Sequence, residues 1–141
     1  MGTITFLHAA SASAALVLGA WQLLAAKHGL RHRGVGYLWM AAMVATAVSS
    51  FALRSSIGFD WLAGFSPIHG LSIFTLVSLA MAVRHAIRRN FVAHRRWVQG
   101  AYAGLVAAGL FAVAIPGREL NTLLFEDLPG LLAAGPIPGL L

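Results

Sequence analysis

The residues best placed to do chemistry in this chain are histidines that recur in a two-part pattern. Each part is a histidine that opens an apolar segment, followed 24 or 25 residues later by a His-Arg pair. The positions are His8 with His32-Arg33, and His69 with His94-Arg95. The spacing predicts two related helical hairpins, each with one histidine near either end. Ionisable side chains are costly in apolar segments, so by default they mark a site.

The elements that must position these histidines are long and apolar. The chain has 141 residues, of which 59% are hydrophobic and 10% charged, whereas soluble domains have about 25% charged residues. Four stretches contain no Lys, Arg, Asp or Glu, and each can supply the roughly 20 helical residues that span a bilayer. They are residues 1–26, 34–53, 61–83 and 97–117. We therefore predict an all-α fold, an integral membrane four-helix bundle made of two repeated helical hairpins.

We expect one transmembrane domain over residues 1–118 and an interfacial tail on the outer face over residues 119–141. The tail contains prolines and glycines and is too broken to span a membrane. The predicted helices cover approximately residues 4–26, 33–53, 67–84 and 94–115.

The distribution of charge predicts the topology. Eight of the ten basic residues fall in two connections, and all four acids fall in the others. The positive-inside rule then places both basic loops in the cytoplasm and both termini outside. We expect a multi-pass protein of the bacterial inner membrane, with both termini periplasmic or extracellular. Its basic residues would meet the lipid bilayer, and no nucleic-acid partner is expected. Cysteine is absent, which excludes disulfides and thiolate metal sites.

Several motifs resemble a known family. They are His8, Gly19-Ala20-Trp21-Gln22, His32-Arg33 with Gly36-Tyr37, Ser66-Pro67-Ile68-His69-Gly70-Leu71-Ser72, His94-Arg95-Arg96-Trp97 and Pro116-Gly117-Arg118. In this order they resemble a bacterial four-helix membrane protein family, the domain of unknown function 2306. The resemblance implies a fold and topology, and no activity. Where we expect a methionine after His-Arg-Arg-Trp, this chain has Val98.

A looser likeness is to b-type membrane cytochromes, which hold two haems in a four-helix bundle. Those proteins usually place two ligating histidines on one helix. Here His69 and His85 are 16 residues apart, which puts them about 160° apart around a helix. One helix does not supply both sites in this way.

The outer histidines form the sharper candidate site. His8 and His69 open the first and third helices at similar depth, and two imidazoles facing across a bundle can ligate haem iron from both sides. Arg54 and Arg118 are cations on the same side that can pair with haem propionates. The alternative is that each histidine only anchors its helix at the interface.

The inner histidines, His32 and His94, form a possible second haem pair. Their neighbours Arg33 and Arg95 would bind an anion such as a phosphate headgroup, a propionate or a polar quinone. We favour the simpler interpretation that these His-Arg pairs follow from the positive-inside bias. His28 and His85 have no symmetric counterpart and are expected to be solvated loop residues.

These patterns lead to two functional hypotheses. The first is a small haem b protein that serves electron transfer. The second is a cofactor-free accessory or assembly subunit, with a membrane-protein partner or a second copy of the chain. No histidine has a buried carboxylate or a nucleophile motif beside it, so hydrolytic catalysis is disfavoured, and whether the protein is an enzyme is left open.

Overall fold

The computed structural model describes residues 2–25, 29–53, 67–116 and 119–133, and every element in them is helical. The all-α prediction is therefore confirmed. The four long helices are α1 (Thr3–Leu24), α2 (Gly29–Ser50), α3 (Pro67–Ile87) and α4 (Phe91–Ala114). The tail consists of a short helix α5 (Glu119–Thr122), a π-helical turn (Leu123–Asp127) and a short helix α6 (Leu128–Ala133).

Three of the described helices, α1, α3 and α4, are long and apolar enough to cross a membrane. The remaining long helix, α2, has 22 residues and so reaches about 33 Å, but it is less apolar because Arg31 and Arg33 lie in its first turns. Large apolar side chains are exposed along the long helices, as expected where lipid tails are the solvent. They include Phe6, Val17, Trp21, Leu38, Val48, Ile73, Val77, Val92, Leu110 and Phe111.

The helices α2 and α4 begin earlier than the charge pattern indicates. α2 starts at Gly29 and α4 at Phe91, so His32 and His94 both lie within the first turn of a helix. At the start of α4, the Asn90 Oδ1 accepts the Ala93 N–H at 3.1 Å, an N-terminal cap that a charge pattern does not reveal.

The expectation that His85 is a solvated loop residue is wrong. α3 continues through Ile87, which places His85 in its last turn with a half-buried side chain. Only three residues, 88–90, connect α3 to α4. The turn is closed by two backbone bonds, from Arg89 N–H to Ala86 O and from Asn90 N–H to His85 O, the Schellman arrangement of a helix end.

The described contacts divide the chain into two compact units, Met1–Val106 and Ala107–Leu141. In the first unit, α1 packs against α2 and α2 packs against α3. A buried apolar cluster unites side chains from all four long helices. Its members are Ala15, Trp39, Met43, Leu79, Ala101 and Leu105. In the second unit, the Asn121 side chain donates to the Val113 carbonyl at 2.7 Å.

Gly19 and Gly104 are among the glycines that allow the helices of the first unit to approach closely. A Cβ on Gly19 of α1 would lie 2.5 Å from the ring of Tyr102 on α4 and 2.6 Å from Nε1 of Trp39 on α2. A Cβ on Gly104 of α4 would lie 3.1 Å from Leu71 of α3. Small residues at such crossings let the side chains of one membrane helix pack directly against the backbone of its neighbour.

We predict that Gly19→Ala destabilises the bundle by about 1–3 kcal/mol, because the new methyl group displaces two aromatic rings. Thermal unfolding in detergent, followed by circular dichroism, measures the effect. Gly34→Ala is the matched control, because a Cβ there meets nothing within 4 Å; it should stabilise α2 by up to about 1 kcal/mol. Equal melting temperatures for the two variants would contradict this packing.

We predict that Arg89→Gly stabilises the turn between α3 and α4 by about 1 kcal/mol. Arg89 has a φ of 55°, the left-handed region where a side chain is strained and glycine is not. Arg88→Gly is the control, because Arg88 N–H still bonds to Arg84 O as in a helix, and glycine there should lower stability. A lower melting temperature for Arg89→Gly would refute the assignment.

Candidate functional site

The half-buried His8 is held by a hydrogen bond from α1 to α2. Its Nδ1 lies 2.9 Å from the Ser49 Oγ. The single hydroxyl proton of Ser49 is directed to the Ala45 carbonyl, 2.6 Å away, with Thr46 O at 3.1 Å. Ser49 therefore accepts at this contact and the His8 Nδ1–H donates. The neutral ring is then the Nδ1–H tautomer, whose lone pair on Nε2 can ligate a metal.

A second pair of hydroxyls continues this link between α1 and α2. The Thr46 hydroxyl donates to Ser11 Oγ at 3.0 Å and shares its proton with the Ala42 carbonyl at 2.8 Å. The Ser11 hydroxyl in turn donates to the His8 carbonyl at 2.9 Å. The outer half of the hairpin is thus joined by polar side chains spaced one turn apart.

His69 lies at the same end of the bundle as His8. It is 6% exposed, and its ring centroid is 5.5 Å from that of Phe51, at an interplanar angle of 40°. One turn further along α3, Ser72 Oγ lies 2.6 Å from Ser50 Oγ. Ser49, which binds His8, is thus adjacent in sequence to residues that contact the start of α3. The end of α2 therefore brings both predicted outer histidines to one region.

The two cations predicted to accompany this outer pair, Arg54 and Arg118, lie outside the described residues.

The inner histidine of the first hairpin, His32, is bound by Gln22 of α1. The Gln22 amide nitrogen lies 2.8 Å from His32 Nδ1 and 2.7 Å from the His32 carbonyl. A carbonyl only accepts hydrogen bonds, so the Gln22 atom that contacts it is the NH₂ nitrogen. The same NH₂ group donates to Nδ1, which therefore accepts. The proton of the neutral ring is then on Nε2, so His32 presents a donor and not a metal-ligating lone pair.

His94, the corresponding residue of the second hairpin, has the opposite arrangement. Its Nδ1 lies 2.9 Å from the Ala82 carbonyl of α3, so Nδ1 carries the proton and Nε2 carries the lone pair. His32 and His94, which the sequence pattern treats as equivalent, are therefore different chemically. Their neighbours Arg33 and Arg95 are both exposed, as expected of cations that meet headgroups or solvent.

Sequence reasoning missed the partners that define these tautomers. Gln22 and Ser49 are visible as polar residues in apolar helices, which is the signal that could have found them. The Ala82 carbonyl has no sequence signal, because any residue supplies a carbonyl. Among the described residues, no group of three or more His, Cys, Asp or Glu is arranged to hold a metal ion. Haem iron is held by one or two axial protein ligands, so a haem site does not require such a group.

The helices and their hydropathy define a multi-pass helical membrane protein. The chain belongs to the family described as "Predicted membrane protein (DUF2306)", whose model matches residues 5–134. The resemblance noted from the motifs is thereby confirmed. Neither the curated proteins nor the solved structures contain a match to this chain.

We predict that the neutral forms of His8 and His94 are Nδ1–H tautomers, whereas that of His32 is the Nε2–H tautomer. The physical reason is the partner of Nδ1 in each ring: Ser49 Oγ and a carbonyl accept, and the Gln22 amide donates. Nitrogen-15 NMR of histidine-labelled protein at alkaline pH distinguishes the two forms. In Gln22→Leu the preference of His32 should be lost, while His8 serves as the internal control. The same tautomer at His32 and His94 would contradict the assignment.

Proposed function

We propose that this membrane protein binds haem b at its outer end, through His8 and His69, and serves electron transfer. The observation that carries the proposal is the bond from His8 Nδ1–H to Ser49, because it assigns the proton of the neutral ring to Nδ1 and the lone pair to Nε2. A ligating histidine normally donates its other ring N–H to a fixed acceptor, which orients the ring and raises its basicity.

The arrangement of helices supports a ligand pair drawn from α1 and α3. In the first unit, α2 packs against both of these helices. Ser49 of α2 contacts His8, and Phe51, the residue after α2, contacts His69. In bundles, cofactor ligands come from facing helices and project inward. The burial of His69 fits such an inward position.

The proposal includes one haem rather than two. His32 accepts at Nδ1 from Gln22, and its Nε2–H form is not a ligand for iron. We therefore assign Arg33 and Arg95 to anionic headgroups. Electrons would then be exchanged at the outer face with a partner protein. We also propose that the protein lies in a bacterial inner membrane with both termini outside.

The competing function is a cofactor-free accessory or assembly subunit. One observation favours it: His8 and His94 already have hydrogen-bond partners on neighbouring helices, as structural histidines do. The exposed apolar side chains of the helices would then contact a partner protein or a second copy of the chain. Bound pigment separates the two functions.

We expect detergent-purified protein, expressed with ample haem, to show a sharp absorption band on reduction with dithionite. The band should be lost in His8→Ala and in His69→Ala, because each variant removes one axial ligand. Ser49→Ala should keep the band but shift the reduction potential, because only the orientation and basicity of His8 change.

His32→Ala is the matched control and should retain the full band. A colourless wild-type protein, or one whose band survives both ligand variants, would exclude haem at this pair. A colourless protein that copurifies with other membrane subunits would favour the accessory function instead.

A further inference from the structure

α3 carries a row of polar side chains into the interior of the bundle. Its four members follow one another at intervals of three residues, and each is more than nine-tenths buried. They are His69, Ser72, Thr75 and Ser78. Residues three apart on a helix are neighbours, with about 5–6 Å between Cβ atoms. The row, called here the α3 polar row, therefore runs from the first turn of α3 to its middle.

Ser78, at the inner end of this row, has an unusual hydroxyl group. A buried hydroxyl in a helix commonly donates to a carbonyl three or four residues earlier, as Ser50 does to Ala47 O at 2.7 Å. Ser78 is 0% exposed, and its Oγ has no hydrogen-bond partner among the described residues. A buried hydroxyl left in this way costs about 1–3 kcal/mol. Ser78 is therefore placed to bind a small polar species inside the bundle.

The path continues from Ser78 towards the inner end of α3. His85 is seven residues further on, which puts it within about 20° of Ser78 around the helix. The His85 Nδ1 is also buried and has no partner among the described residues. Ala82 lies between them, four residues after Ser78 and three before His85, and its carbonyl accepts from His94 Nδ1. His94 thus contacts α3 at a residue that lies between Ser78 and His85 in the sequence.

We propose that Ser72, Thr75 and Ser78 of the α3 polar row, extended by His94 and His85, form a proton pathway through the membrane. Hydroxyl groups and neutral imidazoles each accept a hydrogen bond at one atom and donate at another. A proton can therefore enter at one atom and leave from the next, with single water molecules bridging the gaps and no carboxylate required. No bond other than O–H and N–H forms or breaks, and no electron is transferred. The pathway does not depend on haem at the outer site.

Proton flux into liposomes tests this pathway. Purified protein is reconstituted into phosphatidylcholine vesicles that contain a pH-sensitive dye, and a potassium gradient with valinomycin drives protons inward. Wild-type vesicles should acidify faster than protein-free vesicles. Ser78→Ala should reduce the flux to the protein-free rate, because it removes the fully buried hydroxyl at the centre of the path. Ser13→Ala is the matched control, because Ser13 is exposed on α1, and it should keep the wild-type flux.

Ser78→Ala should keep or raise the melting temperature, because it removes a hydroxyl group that has no partner. A purely structural residue would change stability and leave flux intact. If Ser78→Ala does not fold, the isosteric Thr75→Val applies the same test one step along the row. Wild-type flux no faster than protein-free vesicles, or an unchanged flux in folded Ser78→Ala, would overturn the pathway. Neither result bears on haem, which the optical spectra of the His8 and His69 variants decide separately.

Discussion

Polar groups within a bilayer have no water to bind, and the bundle is organised around this constraint. Its helices satisfy it by donating and accepting across their contacts. His8 donates to Ser49, Gln22 donates to His32, and His94 donates to the Ala82 carbonyl. Each bond joins two antiparallel helices near one end, so the same contacts that hold the helices together also determine which nitrogen of each ring carries the proton.

The tautomers connect the packing to function. A serine whose own proton is already committed to a helix carbonyl makes His8 a donor at Nδ1, whereas an amide NH₂ makes His32 an acceptor at the same atom. His8 has the tautomer expected of a haem ligand, and we propose haem at the outer pair alone. The opposite end of the bundle has exposed arginines and His94, which bonds to α3 between Ser78 and His85 of the proposed proton pathway.

The sequence was sufficient for the features that depend on composition and spacing: an all-helical fold, three of the four predicted apolar spans and the family. The histidines stand out in the sequence because an ionisable residue in an apolar helix is rare, and their role as ligands stays a prediction. The sequence did not predict the turn after α3, because Arg89 occupies a left-handed position that glycine normally takes. Nor could it separate His32 from His94, since their difference lies in an amide on one neighbouring helix and a backbone carbonyl on another.

The haem content of the purified chain tests the central proposal most directly. The pyridine haemochrome of wild-type protein, divided by protein concentration from amino-acid analysis, gives the number of haems per chain. We expect one, because His32 of the inner pair accepts at Nδ1 and carries its proton on Nε2. Two haems per chain would contradict the chemical difference between His32 and His94, and none would contradict the assignment of His8 and His69.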